Sequence, residues 1–118
     1  MPVDYDNLIE EIEDMGKRER QSLRSNLVVL LLHLLKWQYQ PTQRTGRWAG
    51  SIVEYRRRIR EALKDSPSLA PYLADVFVEA YQDARQQAAA ETMLLNETFP
   101  QTYEFELAQV MDENFPLR

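Results

Sequence analysis

Residues 27–41, with the sequence LVVLLLHLLKWQYQP, decide the fold because they are apolar around most of a helical circumference. A helix of that kind lies at the centre of a domain or spans a membrane. The uninterrupted apolar run, residues 27–35, contains a histidine and is far shorter than the roughly 20 residues that a spanning helix needs. We therefore predict the central helix of a soluble bundle and no membrane segment.

Apolar residues at steps of three and four mark further helices on both sides of this stretch. A first helix, capped by Asp4 or Asp6, is expected to end at Gly16, because glycine commonly terminates helices. The alternative is a helix that continues through Gly16 at a cost of about 1 kcal/mol. The remaining predicted helices cover residues 17–39, 47–64 and 71–92, followed by a short one over 102–111. The sequence thus predicts one all-α domain over residues 1–118, an antiparallel helical bundle of four main helices plus a short C-terminal helix.

The predicted helix ends carry the usual capping and breaking residues. Pro41 is expected to end the second helix, because the residue before a proline is kept out of helical geometry. Thr45 and Thr102 can cap the third helix and the last one. Residues 93–101 are expected to form an ordered apolar loop between the fourth helix and the last one.

Composition excludes several classes of protein. The chain has no cysteine, so disulfide scaffolds, thiolate metal sites and cysteine nucleophiles are absent. The first residues are acidic and lack the basic and apolar regions of a signal peptide, so a cytoplasmic protein is expected. No phosphate-binding glycine loop and no nucleophile elbow occurs, which favours a non-enzymatic function.

Charge is segregated along the chain. Residues 1–16 contain six acids and no base, residues 17–64 contain twelve bases and three acids, and residues 65–118 contain ten acids and two bases. This layout suggests that the acidic ends fold back onto the basic middle or dock there on a second copy. Charged faces exposed to solvent are the simpler explanation.

His33 is the only histidine, and an imidazole can act as a general base. One hypothesis is a ligand-binding or enzymatic cleft formed by His33, Trp37 and acids of the first helix, Glu10 and Glu13. Acids of the fourth predicted helix could take the same part: Glu79, Asp83 and Glu91. A lone histidine on the flank of an apolar helix is more often a satisfied boundary residue. No Glu-x-x-His pair occurs, so we predict neither a metal nor a cofactor.

A run of arginines in the third helix raises the possibility of nucleic-acid binding. Consecutive arginines point about 100° apart on a helix, so few of them can line one surface, and we do not expect nucleic acid to bind. We expect the buried face of the fourth helix to hold Glu91 against a base such as Arg56. The candidate binding residues for a partner are Arg56, Arg57, Arg60, Tyr81 and Arg85.

Several short blocks resemble one known family. They are NLIEEIEDMG at 7–16, LLHLLKWQYQP at 31–41, SPSL at 66–69 with PYL at 71–73, AYQDAR at 80–85 and TFP at 98–100. In this order they are similar to a bacterial family catalogued as domain of unknown function 29. The resemblance implies a small helical domain with no assigned activity and no established catalytic residue.

Members of that family usually carry a further amphipathic segment before the Asn-Leu-Ile block, and this chain starts almost at that block. We therefore expect an uncovered apolar groove that a second copy fills. Together with the charge segregation and the missing catalytic motifs, this favours a self-associating protein-interaction module. The expected partner is a second copy, in a homodimer, or another protein.

Overall fold

The computed structural model describes residues 5–117, without the side chains of residues 5, 7 and 9–15. It contains three long helices, α1 (Tyr5–Tyr39), α2 (Gly46–Asp65) and α3 (Ala70–Thr92), and one short helix, α4 (Leu107–Val110). Single 3-10 turns at Pro41–Gln43, Pro67–Leu69 and Asn96–Thr98 lie between them. Every regular element of this described part is helical, which confirms the all-α class.

The predicted break at Gly16 is wrong. Residues assigned to the first two helices form the single 35-residue helix α1, and no glycine in the described range has a positive φ. Gly16 therefore does not adopt the left-handed conformation of a terminating glycine. The sequence on its C-terminal side is rich in strong helix formers, so the cost of about 1 kcal/mol for one interior glycine does not end the helix.

Two predicted helix starts have different outcomes. Thr45 caps α2 as predicted, because its Oγ1 accepts a hydrogen bond from the Trp48 amide at 3.2 Å. The predicted cap at Thr102 is wrong, since α4 begins only at Leu107. The residues between Thr102 and Leu107 do not form a helix and pack against the core instead. The Tyr103 ring is buried and stacks on Tyr81 with centroids 4.8 Å apart.

The helix α1 is the centre of the molecule, and both α2 and α3 pack on it. Glu19 lies opposite Ser66, and the His33 ring lies on Tyr55, so α2 runs against the direction of α1. Ion pairs give the opposite result for α3: Arg24 binds Glu79 and Asp83, and Lys36 binds Glu91. As residue numbers rise together in these pairs, α3 runs in the same direction as α1.

The predicted central stretch supplies much of the core. Its main stripe is 1% exposed or less throughout: Leu23, Leu27, Leu30, Leu31, Leu34 and Leu35. The segment after α3, residues 93–117, closes the core with the buried side chains of Phe99, Tyr103 and Val110. The helices of the described chain include none that is long and apolar enough to cross a membrane.

Candidate functional site

His33 lies at the edge of the core. Its Nδ1 donates a hydrogen bond to the Val29 carbonyl at 2.8 Å, because a carbonyl can only accept. This contact leaves Nε2 of the neutral ring as the basic atom. The ring is half-buried and stacks on Tyr55 with centroids 6.5 Å apart. Neither of the two cavities described below is lined by His33 or Trp37.

Trp37 has a structural partner. The Arg44 guanidinium lies 4.9 Å from the Trp37 ring centroid, and Arg44 Nε donates to the Trp37 carbonyl at 2.7 Å. A cation over an indole face is a favourable contact. Trp37 and Arg44 therefore fasten the connection between α1 and α2.

The acids of the first predicted helix that were proposed to act with His33 do not meet it. The side chains of Glu10 and Glu13 lie outside the described residues, but their place in α1 is twenty or more residues before His33. At 1.5 Å per residue, roughly 30 Å of helix separates Glu13 from His33. Within one chain these acids and His33 cannot form one cleft.

The acids of α3 have other partners. Glu79 and Asp83 both accept hydrogen bonds from Arg24 at 2.6 Å. Glu91 accepts one from Lys36 at 2.6 Å, which lowers the pKa of its carboxyl. The predicted pairing of Glu91 with Arg56 is thus wrong. Glu91 lies at the edge of the contact between α3 and α1, and its side chain is 39% exposed. Among the described side chains, no group of three His, Asp or Glu could hold a metal ion.

The arginine run does not form one basic surface. Arg57 and Arg58 both bind Glu54, and Arg57 also binds Glu61. These hydrogen bonds, chiefly from Arg57, lower the pKa of Glu54. Arg60 forms an ion pair with Glu113 at 3.6 Å, and Arg56 is 1% exposed. The side chains of the run thus turn to different neighbours, as their spacing on a helix predicts.

Three of the candidate binding residues, Arg56, Tyr81 and Arg85, donate hydrogen bonds to the C-terminal segment, residues 93–117. Tyr81 is 1% exposed, and its hydroxyl donates to the Pro100 carbonyl at 2.5 Å. Arg85 Nε donates to the Phe99 carbonyl at 3.0 Å, and Arg56 binds carbonyls further along the same segment. One signal for Arg56 was present in the sequence: it falls four residues after Ile52 and three before Ile59, in phase with the buried stripe of α2.

The buried tyrosines make stability sensitive to alkaline pH. Burial raises the pKa of Tyr81 to about 12, and it also raises the pKa of Tyr103. In the unfolded chain a tyrosine ionises near pH 10, so the contribution of these neutral hydroxyls is complete below pH 10 and is lost as the pH rises toward 12. We expect the urea midpoint to fall across this window. Tyr81→Phe should flatten the fall, and an unchanged slope would contradict the assignment.

A groove whose position the sequence did not specify lies where α2 ends against α1. Its volume is about 380 Å³. The groove is lined by Arg18, Glu19, Ser22, Leu23, Asn26, Ala62, Asp65, Ser66 and Leu69. Beyond it α1 continues toward its N-terminus, where Leu8 is 45% exposed. An apolar side chain on a helix next to a groove with an apolar floor is typical of a protein-interaction surface.

Comparison with known proteins places the chain in a family. The family model described as Domain of unknown function DUF29 matches residues 1–116, so the chain belongs to this family. No curated protein and no solved structure matches the chain. The family membership is consistent with the helical fold and assigns no activity.

Proposed function

We propose that this protein is a non-enzymatic interaction module that self-associates through the N-terminal part of α1. The projecting segment, residues 5–18, is the part of α1 that precedes the contact between Glu19 and Ser66. The terminal groove is the cavity at the same end of α2, described above. In the proposed dimer the projecting segment of each copy lies along that of the other and reaches the terminal groove.

The observation that carries the proposal is the length of α1 relative to α2. Helix α2 ends at Asp65, and Ser66 meets Glu19, so the projecting segment has no α2 beside it. At 1.5 Å per residue it extends roughly 20 Å. The Cα radius of gyration is 16.9 Å, compared with about 13.5 Å for a compact chain of this length. The projecting segment therefore has a side that α2 leaves uncovered and that another helix can occupy.

The apolar residues of the projecting segment suit a helical partner. The sequence places Leu8, Ile9, Ile12 and Met15 at helical spacing, and the exposed fraction of Leu8 is 45%. The other three side chains lie outside the described residues. The terminal groove offers Leu23, Ala62 and Leu69 as an apolar floor. Covering the exposed part of Leu8 contributes about 1 kcal/mol.

Charge complementarity favours a second copy in the antiparallel direction. Residues 1–16 carry six acids and no base, whereas Lys17, Arg18 and Arg20 follow immediately and are exposed. When two such helices cross in opposite directions, the acidic part of each meets the basic part of the other. The contact is then identical for both copies, as in a two-fold symmetric dimer. A parallel pair would place like charges together.

The test is the oligomeric state of the protein with Leu8 changed. Leu8→Glu places a charge in each half of the proposed interface and should weaken the dimer at least tenfold, or about 1.4 kcal/mol. Because opposite charges across the interface are screened by salt, the dimer should also weaken when salt is raised to about 0.5 M. Sedimentation equilibrium over a range of protein concentrations measures both effects.

Val78→Glu is the matched control. Val78 is 66% exposed on α3, so the same kind of change there should leave the dimer unaffected. A strict monomer at a protein concentration of about 1 mM would overturn the proposal. A dimer that Leu8→Glu and Val78→Glu weaken equally would move the interface away from the projecting segment.

A further inference from the structure

Arg56 is the one charged side chain buried in the described core, and its hydrogen bonds go to neutral groups. It is 1% exposed. Its Nε donates to the Val110 carbonyl at 3.0 Å, and its Nη2 donates to the Phe115 carbonyl at 2.5 Å. No ion pair in the described part of the chain includes Arg56. A buried guanidinium normally has a counter-charge, because removing it from water is costly.

The missing counter-charge affects the pKa of Arg56. Burial lowers the pKa of Arg56, and the neighbouring Arg60 lowers it further, while Asp112 and Glu113 act in the opposite direction from a distance. The guanidinium nevertheless keeps its proton, as arginine does in proteins. The net result is a fixed positive charge whose nearby carboxylates do not hydrogen-bond to it.

Arg56 also borders an open cavity. This cavity has a volume of about 250 Å³ and is lined by Val53, Arg56, Arg60, Glu113 and Asn114. Within the described chain, every fully buried side-chain nitrogen or oxygen has a hydrogen-bond partner. Arg56 Nη1 makes no hydrogen bond to the described residues, so it is not sealed in the core. Because Arg56 also lines the cavity, Nη1 is the donor that remains for a ligand bound there.

Arg60 brings a second guanidinium to the same cavity. It follows Arg56 by four residues on α2, so the two side chains lie on one face, about 6 Å apart at their Cβ atoms. Its ion pair with Glu113 is 3.6 Å long, too long for a hydrogen bond, and the side chains are 48% and 77% exposed. An incoming anion can therefore displace Glu113 at small cost. The Asn114 side chain at the rim can add another donor.

We propose that Arg56 and Arg60 form a binding site for a small oxyanion, a phosphate or carboxylate group held between two guanidiniums. Planar guanidiniums bind such groups through paired, charge-assisted hydrogen bonds. The volume of the cavity is below the range of about 300 to 1,000 Å³ that is typical of drug-sized ligands. The cavity therefore has room for one oxyanion group. Bound there, the anion supplies the counter-charge that Arg56 lacks.

The experiment titrates purified Leu8→Glu protein with inorganic phosphate and, separately, with acetate. Sodium chloride holds the ionic strength constant, and the side-chain Nε resonances of the arginines are followed by NMR. This variant separates the anion site from self-association, so failure of one proposal does not affect the other. Saturable shifts of the Arg56 and Arg60 signals are expected, with a Kd below about 1 mM for at least one anion. The anion that binds more tightly identifies phosphate or carboxylate as the ligand class.

Substitutions at exposed residues test which side chains bind the anion, and they are not expected to unfold the protein. Arg60→Gln should weaken binding at least tenfold, and Glu113→Gln should tighten it severalfold because the competing carboxylate is gone. Arg57→Gln is the matched control, since Arg57 lies on the same helix but outside the cavity. The proposal is overturned if neither anion gives saturable shifts, or if Arg57→Gln and Arg60→Gln weaken binding equally.

Discussion

Replacing Arg56 with alanine should lower the free energy of unfolding by about 3 to 5 kcal/mol. The change removes hydrogen bonds to the Val110 and Phe115 carbonyls and leaves both without their donor. It also opens space beneath the C-terminal segment, where Arg56 is 1% exposed. Urea denaturation, followed by the fluorescence of the two tryptophans at fixed protein concentration, measures the loss.

Two further variants separate the causes. Arg56→Met keeps most of the volume but not the donors, so it should recover only part of the loss. Arg57→Ala, on the same helix with exposed ion pairs, should leave the urea midpoint almost unchanged. If Arg56→Ala behaved like Arg57→Ala, the hydrogen bonds of Arg56 would not be what holds the C-terminal segment.

The second large effect is expected at the centre of α1. Leu31→Ala should lower the free energy of unfolding by about 2 to 5 kcal/mol. Leu31 is fully buried, and the long helices around it would close only part of the cavity that the truncation creates. Domains of this size are typically stable by about 5 to 15 kcal/mol, so the variant should lose a large share of its stability. The urea midpoint should shift strongly while the slope stays the same.

Leu95→Ala is the control for that prediction. Leu95 lies after α3 and is 75% exposed, so the same truncation should change stability by less than about 0.5 kcal/mol. Equal losses at Leu31 and Leu95 would mean that the apolar stretch of α1 is not the centre of the core.

Local patterns in the sequence were sufficient for the helical class and for much of the core. The leucines of α1, the cap at Thr45 and the buried positions Ile52 and Ile59 all follow from helical spacing and capping chemistry. The predicted helix end at Gly16 is wrong because a glycine terminates a helix in this way only when it adopts the left-handed conformation. The spacing of apolar residues does not show whether it does so. The predicted helix start at Thr102 is wrong because the packing of Tyr103 on Tyr81 outweighs the local capping preference.

The candidate site was harder to predict from the sequence. The charge segregation indicated that acidic and basic parts meet, and the structure pairs acids of the last part of the chain with Arg24, Lys36 and Arg60. The choice of partners was wrong for Glu91, which binds Lys36 and not Arg56. The cavity beside Arg56 has no sequence signal, and the expected apolar groove could not be placed, because each is formed by residues distant in the chain.

Sequence patterns alone are enough to predict that the chain is helical and that residues 27–35 lie at its centre. Both properties follow from the periodicity of apolar side chains, which acts over one or two turns. Three further features are visible only in the folded chain: α1 extends past α2, Arg56 lies under the C-terminal segment, and two arginines share a cavity. These relations depend on the relative length and register of packed helices, and no local pattern of residues specifies them.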